Sequence, residues 1–449
     1  SPAWSPDGAQ IAFVSNRQPD WDRHDNTDIW VVAARAGSTP RQISTFEGAD
    51  YGPIAWSPDG RRVAYAQGTP TKYSQYPFQQ IAIAPLNGGH VVLPTAALDR
   101  DTTLPRFSED GRFVDFLIAD SLSGQLGRVA IGGGPVQRLI AGDRTVGSFS
   151  RAAKRTAVLI TDSHTPKEIY AWEQGRLRQL THHNRDWLQN VEFGAAERIE
   201  FSGVDGVPVH ALLIKPPGYR AGQKYPLITW IHGGSYARDG FGFYLDMQLF
   251  AARGYVVLQV NYRGSSGRGV EFGRGIHADW GNKDRTDVLA GVDYLVAQGI
   301  ADPDRLGVGG WSYGGILTNY IIAKDTRFKA AISGAGFGNL LSHYGTSEHI
   351  VQLDAELARP WDNPQQWLDL SYPFFSANRI RTPTLYVSGQ NDFNVPVAGS
   401  EQMYQALKSL GTPTQLVIYP NETHRIGKSS VRRDLLERYL AWYARYLQG

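Results

Sequence analysis

The chain reads as two folds in series: a partial β-propeller of about four blades over residues 1–190, then an α/β domain with a mostly parallel, doubly wound sheet over residues 191–449. Three observations predict this. A short aromatic-Ser-x-Asp-Gly segment recurs through the first half, strand-like and helix-like runs alternate through the second, and a Gly-x-Ser-x-Gly pentapeptide falls at one strand-to-helix junction.

In the first half the copies open at Trp4-Ser5-Pro6-Asp7-Gly8, Trp56-Ser57-Pro58-Asp59-Gly60, Phe107-Ser108-Glu109-Asp110-Gly111 and, in degenerate form, Phe149-Ser150. Each continues in one order: a turn, an apolar strand (Ile11 to Val14, Val63 to Ala66, Val114 to Leu117, Thr156 to Ile160), a polar gap, and a second strand (Asp28 to Val32, Gln80 to Ile83, Gly127 to Ala130, Glu168 to Trp172). Strand pairs recurring at roughly 40 to 50 residues are the pattern of propeller blades. The Asp-Gly step supplies the positive φ of a hairpin turn, and the opening aromatic is expected to pack between neighbouring blades as a core residue, not as part of a ligand cage. The chain starts inside a copy, at Ser1, so further blades and an upstream segment are expected.

In the second half, Leu227 to Ile231 reads as a strand before a Gly-rich loop, and Tyr255 to Val260 as a second buried strand. Asp284 to Gln298 carries Val288, Leu289, Val292 and Leu295 on one helical face. Strands Arg305 to Gly309, Thr384 to Ser388 and Thr414 to Tyr419 follow, with helices after Gly315 and over Ala398 to Leu410 and Ser430 to Tyr446. Such alternation implies a sheet covered on both faces, with chemistry at the carboxyl ends of its strands.

Composition narrows the function. Lys plus Arg (45) and Asp plus Glu (43) leave a net charge of +2, which gives no field to draw a nucleic acid or an anionic membrane surface. No apolar run approaches the ~20 residues that span a bilayer. The absence of cysteine (0) excludes disulfides, thiolate metal sites and a cysteine nucleophile, and leaves cytoplasm and periplasm equally open. The histidines lack the spacing of a metal site, and no cofactor is called for.

Ser312 lies at the centre of Gly310-Trp311-Ser312-Tyr313-Gly314, after a strand and before a helix, where a sharp turn holds a hydroxyl above the sheet. A serine needs a base, and the base needs a carboxylate. Asp392 and His424 follow two later strands in the order this arrangement demands, whereas Asp362 and Asp369 follow no strand and Glu422 is too close to His424 along its loop. The backbone N–H of Tyr313 and the loop His232-Gly233-Gly234 are the candidate donors for an oxyanion.

The blade repeats resemble those of TolB-like propellers. Together with His232-Gly233-Gly234, Asn261-Tyr262-Arg263-Gly264-Ser265-Ser266-Gly267, Asp279-Trp280-Gly281, Gly310 to Gly315, Asp392 to Pro396 and His424, the chain resembles the prolyl oligopeptidase family of serine peptidases, most of all its acylaminoacyl-peptidase and dipeptidyl-peptidase-like branches. The resemblance implies a propeller followed by an α/β-hydrolase domain, with Ser312 as nucleophile, His424 as base and then acid, and Asp392 as the orienting carboxylate. It implies short peptide substrates, a propeller that limits substrate size, and an apolar pocket at Phe337, Tyr344 and Val395. Oligomers are common in that family. A carboxylesterase using the same three residues on small esters is the rival reading.

Overall fold

The computed structural model describes residues 2–152 and 154–448. It divides into two compact units. The first comprises Ser1–Gln189 with Gly240–Phe243 and Ser266–Arg274; the second comprises Asn190–Asp239, Tyr244–Ser265 and Gly275–Gly449.

In the first unit the recurring turn explains the recurring strands. Ser57 Oγ donates to Asp59 at 2.6 Å and accepts the Arg62 amide at 2.9 Å, while Asp59 accepts the Arg61 amide at 3.0 Å and Gly60 takes φ +66°. The same bonds recur at Ser5, Asp7 and Gly8, and at Ser108, Asp110 and Gly111. These serine hydroxyls first, then the backbone amides, with the Arg112 guanidinium coming between them at Asp110, hold the three aspartates below the ordinary carboxylate range.

Each turn reverses the chain into an antiparallel sheet. The first holds Ala3–Trp4, Gln10–Ser15, Asp28–Ala33 and Arg41–Gln42; the second holds Gly48–Trp56, Arg62–Pro70 and Gln80–Pro85. Two further groups, from Asp101–Phe107 to Gln137–Ile140 and from Thr145–Ala152 to Arg176–Gln179, are joined by a parallel bridge between Gly124 and Thr145.

The period of two along the strands sends alternate residues to different cores. Val63, Tyr65, Ala82 and Ala84 meet Ala12, Ile29 and Val31 of the first sheet. The residues between them, Ala64, Ile81 and Ile83, meet Val114, Phe116 and Ile118 of the third group. Leu126 and Ile140 then meet Val146, Phe149, Val158 and Ile160 of the fourth.

Trp56 bridges the first two sheets, its Nε1 donating to Ala3 O at 2.9 Å. Trp4 corrects the expectation for its copy: it lies on a two-residue strand at the edge of its sheet and is 61% exposed.

The second unit is built on one eight-stranded sheet. Its strands are β1 (Ala195–Ser202), β2 (Pro208–Lys215), β3 (Tyr225–Ile231), β4 (Val256–Asn261), β5 (Ala301–Trp311), β6 (Ala330–Gly334), β7 (Thr384–Gly389) and β8 (Thr414–Tyr419). Their spatial order is β1-β2-β4-β3-β5-β6-β7-β8, antiparallel at β1-β2-β4 and parallel from β4 onward. Every residue of β3, β4, β6 and β7 is buried, as expected of strands covered on both faces.

The principal helices are α1 (Leu245–Ala252), α2 (Lys283–Ala297), α3 (Tyr313–Ile322), α4 (Ala398–Ser409) and α5 (Ser429–Leu447). Gly307 and Gly309 open a flat path on β5 for α5: a Cβ at Gly309 would stand 2.4 Å from the Tyr443 hydroxyl, which donates to Val308 O at 3.0 Å. Among the described residues no helix is long and apolar enough to cross a membrane.

Candidate active site

β5 ends at Trp311 and α3 begins at Tyr313, leaving Ser312 to make the whole turn at φ 62°, ψ −125°. A non-glycine residue held there is strained, and the surrounding contacts must hold it. Close approach supplies them. A Cβ at Gly310 would lie 2.4 Å from Ile231 O, one at Gly314 2.0 Å from the same oxygen, and one at Gly315 2.2 Å from Gly334 O. The Ser312 amide donates to Gly334 O at 2.9 Å. Only glycine at these three positions lets the buried helix α3 start in contact with both β3 and β6.

Register brings the Gly-rich loop to the serine. Ile231 pairs with Gly310 across β3 and β5, so the chain leaving β3 passes Ser312, and a Cβ on Gly233 would lie 3.0 Å from Ser312 Cβ. His232 anchors this loop. Its Nε2 meets Ser265 Oγ at 2.9 Å, its ring stacks on Tyr262 at 4.5 Å, and the Tyr262 hydroxyl donates to His232 O at 3.1 Å. Burial pushes the imidazole down to about 4, so it is neutral near pH 7.

Asn261 braces the same loop, and Arg263 anchors its own segment. The Asn261 side chain receives the Asp239 amide at 2.8 Å and donates to Asp239 O at 3.0 Å. Arg263 grips Asp287 with Nε at 2.9 Å and a terminal nitrogen at 2.7 Å, and also bonds Asp205.

β7 and β8 pair Gly389 with Tyr419, and the loops beyond them deliver Asp392 and His424 to one another. His424 Nδ1 lies 2.7 Å from Asp392 Oδ2. The other carboxylate oxygen accepts the Asn394 and Val395 amides at 3.0 and 2.8 Å, which fixes a side chain that is 0% exposed.

Two residues that the sequence did not single out for this task hold the histidine loop. Trp311 Nε1 donates to His424 O at 3.0 Å, and the buried Glu422 accepts the Gly427 amide at 2.7 Å.

Beneath the turn, Tyr313 contributes more than a backbone amide. Its hydroxyl donates to Asp284 Oδ2 at 2.7 Å, and that carboxylate also accepts the Gly281 and Arg285 amides at 3.1 and 2.7 Å. Burial raises the Asp284 carboxyl to about 6, against the lowering effect of these bonds. The only sequence signal for Asp284 was its place shortly after Asp279-Trp280-Gly281, at the polar start of α2.

Ser312 and His424 open onto one cavity of about 510 Å³, together with Gly233, Gly234 and Trp311. Trp230, Asp246, Arg425, Ile426 and α5 residues complete the lining.

The three residues expected to form an apolar pocket are not among this lining. Phe337 is buried and stacks on His343 at 4.6 Å, Tyr344 meets Trp361 and Trp367 edge-on, and Val395 serves Asp392 through its amide.

This arrangement has relatives. Residues 241–449 match the prolyl oligopeptidase family.

Beyond it, the chain is 34% identical over 304 residues to a Bacillus subtilis (strain 168) protein named uncharacterized peptidase YuxL, covering 64% of this chain and 45% of the relative. It is 25% identical over 460 residues to dipeptidyl-peptidase 5 of Porphyromonas gingivalis, covering 99% of this chain and 66% of the relative. A solved Pyrococcus horikoshii acylaminoacyl peptidase superposes with a TM-score of 0.86 at 25% identity, over 100% of this chain and 70% of that one. The chain spans about half to two thirds of the length of these curated relatives.

Proposed function

We propose that the chain is a serine peptidase that cleaves short peptides near their N-terminus, in the manner of a dipeptidyl peptidase or an acylaminoacyl peptidase. The observation that carries this reading is the 2.7 Å bond from His424 Nδ1 to the buried Asp392, in a site whose cavity also holds Ser312 on its strained turn.

With Nδ1 engaged by Asp392, His424 Nε2 is the nitrogen left for proton transfer. Ser312 Oγ attacks the carbonyl carbon of the peptide bond, and its proton passes to His424 Nε2. The carbonyl oxygen becomes an anion, received by the Tyr313 amide at the start of α3 and by the Gly233–Gly234 backbone that the buried His232 supports. His424 then gives the proton to the leaving amine as the C–N bond breaks. Water hydrolyses the acyl-enzyme by the same steps in reverse.

The four antiparallel groups of the first unit are, in this reading, blades of a partial propeller. Their shared faces support it, as does the likeness to acylaminoacyl peptidase over the full chain.

The test is turnover of Ala-, Ala-Ala-, Gly-Pro- and acetyl-Ala-p-nitroanilides and p-nitrophenyl butyrate, with fluorophosphonate labelling of the wild type and of Ser312→Ala. Cleavage of an anilide that the variant loses, with labelling at Ser312, is the expected result. Turnover of the ester alone replaces the peptidase with an esterase; a folded, unlabelled protein removes the hydrolase reading altogether.

A further inference from the structure

The cavity beside Ser312 also carries charge. Arg425 follows the histidine directly and Arg432 lies in the first turns of α5, and both line the cavity with Ile426, Leu435, Leu436 and Tyr439. Among the described residues neither guanidinium forms an ion pair or a side-chain hydrogen bond. Their neighbours on the same helix differ: Arg433 pairs with Glu437 at 2.8 Å and Arg438 with Asp434 at 2.7 Å. Among the described lining residues the one carboxylate is Asp246, which burial raises above the ordinary carboxylate value against the pull of Arg432, so two arginines face a single acid. Arginine forks with no hydrogen-bonded partner, beside apolar lining residues, are suited to receive a carboxylate.

The chemistry fixes which part of a substrate meets these residues. Under the peptidase reading, on which this inference rests, His424 protonates the departing nitrogen and so stands on the leaving-group side. The residues that follow it and share its cavity therefore face the leaving part of the peptide. The volume of about 510 Å³ lies in the range of small-ligand sites, roughly 300–1,000 Å³, which suits a departing amino acid or dipeptide better than a long chain.

We propose that Arg425 and Arg432 bind the terminal carboxylate of the leaving group, so that the enzyme favours peptides ending one or two residues beyond the cleaved bond.

The experiment compares kcat/KM for Ala-Ala-Ala and its C-terminal amide, Ala-Ala-Ala-NH2, in the wild type, Arg425→Gln, Arg432→Gln, the double variant and Asp246→Asn. The wild type is expected to prefer the free acid by on the order of tenfold at low salt, each arginine supplying roughly a fivefold share or less. The preference is expected to shrink in each arginine variant, nearly vanish in the double variant, grow in Asp246→Asn, and narrow as salt is raised.

Equal turnover of acid and amide by the wild type overturns the proposal, as does a preference that survives in the double variant, or cleavage of neither peptide by an enzyme that labels at Ser312. Fluorophosphonate labelling is read on every variant; its leaving group is fluoride, so it reports folding and nucleophile independently of any carboxylate. A wild type that neither labels nor turns over defeats the peptidase reading along with this one, whereas labelling without acid preference defeats this one alone.

Discussion

Ser312 occupies a backbone conformation that disfavours any side chain, and its neighbours' hydrogen bonds are what keep it there. Its replacement by alanine is expected to lower kcat by about 10⁶-fold with the fold intact, checked by steady-state kinetics beside circular dichroism. Asp392→Asn is expected to cost about 10⁴-fold, because the amide can turn its NH2 toward His424 Nδ1 and stabilise the wrong tautomer.

Asp284 gives a pH signature. Its folded value, about 6, lies above the ordinary 3.8, so the folded state holds the proton more tightly than the unfolded chain does. The resulting stabilisation is complete below about pH 3.8 and is lost as pH rises through about 6, on the order of 3 kcal/mol in all. Urea unfolding of the wild type and Asp284→Asn between pH 4 and 7 should show the difference between them declining over that window; a constant difference would exclude the assignment. The sequence offered Ser312, Asp392 and His424 by their order along the chain. It could not offer Asp284, whose bond from Tyr313 comes from a different element.

At the scale of elements, the turn into α3 is the least tolerant structure in the second unit. A methyl group at Gly314 would meet Ile231 O at 2.0 Å, backbone against backbone, with no flexible side chain to yield. Gly314→Ala should destabilise by more than about 3 kcal/mol in chemical unfolding. Gly132→Ala, with nothing within 4 Å of the added Cβ, should stay within about 0.5 kcal/mol.

Legibility followed the same physics. The strands β3, β4 and β7 announced themselves as continuous apolar runs because both faces are covered. The hairpin strand β1 did not: most of its residues are exposed or half-buried, and Ala-Ala-Glu-Arg-Ile-Glu-Phe-Ser reads as a polar linker until β2 pairs with it. Likewise the motif from Asn261 to Ser265 was visible as a string of residues, but its work of holding His232 depends on a partner some 30 positions away.

Over the whole molecule, two compact units with separate cores should unfold as two calorimetric transitions. Covalent labelling of Ser312 is expected to shift only one of them; a single transition that moves as one would show that the units melt together. The division between a repetitive half and an alternating half was readable from residue order. The assignment of Gly240–Phe243 and Ser266–Arg274 to the first unit was not, because these short segments carry no periodic signal of their own.

The recurring turn has a further consequence. Ser57, Asp59 and Gly60 complete their bonds within five residues, and the sheet they start buries one face on the copy before and the other on the copy after. Such a unit is self-contained in its folding instructions and demands of its neighbours only a matching apolar face. Duplication or deletion of one copy in a gene therefore leaves the remaining copies able to close against each other, so copy number can drift between lineages while the second half, where every strand answers to a particular partner, must be inherited whole.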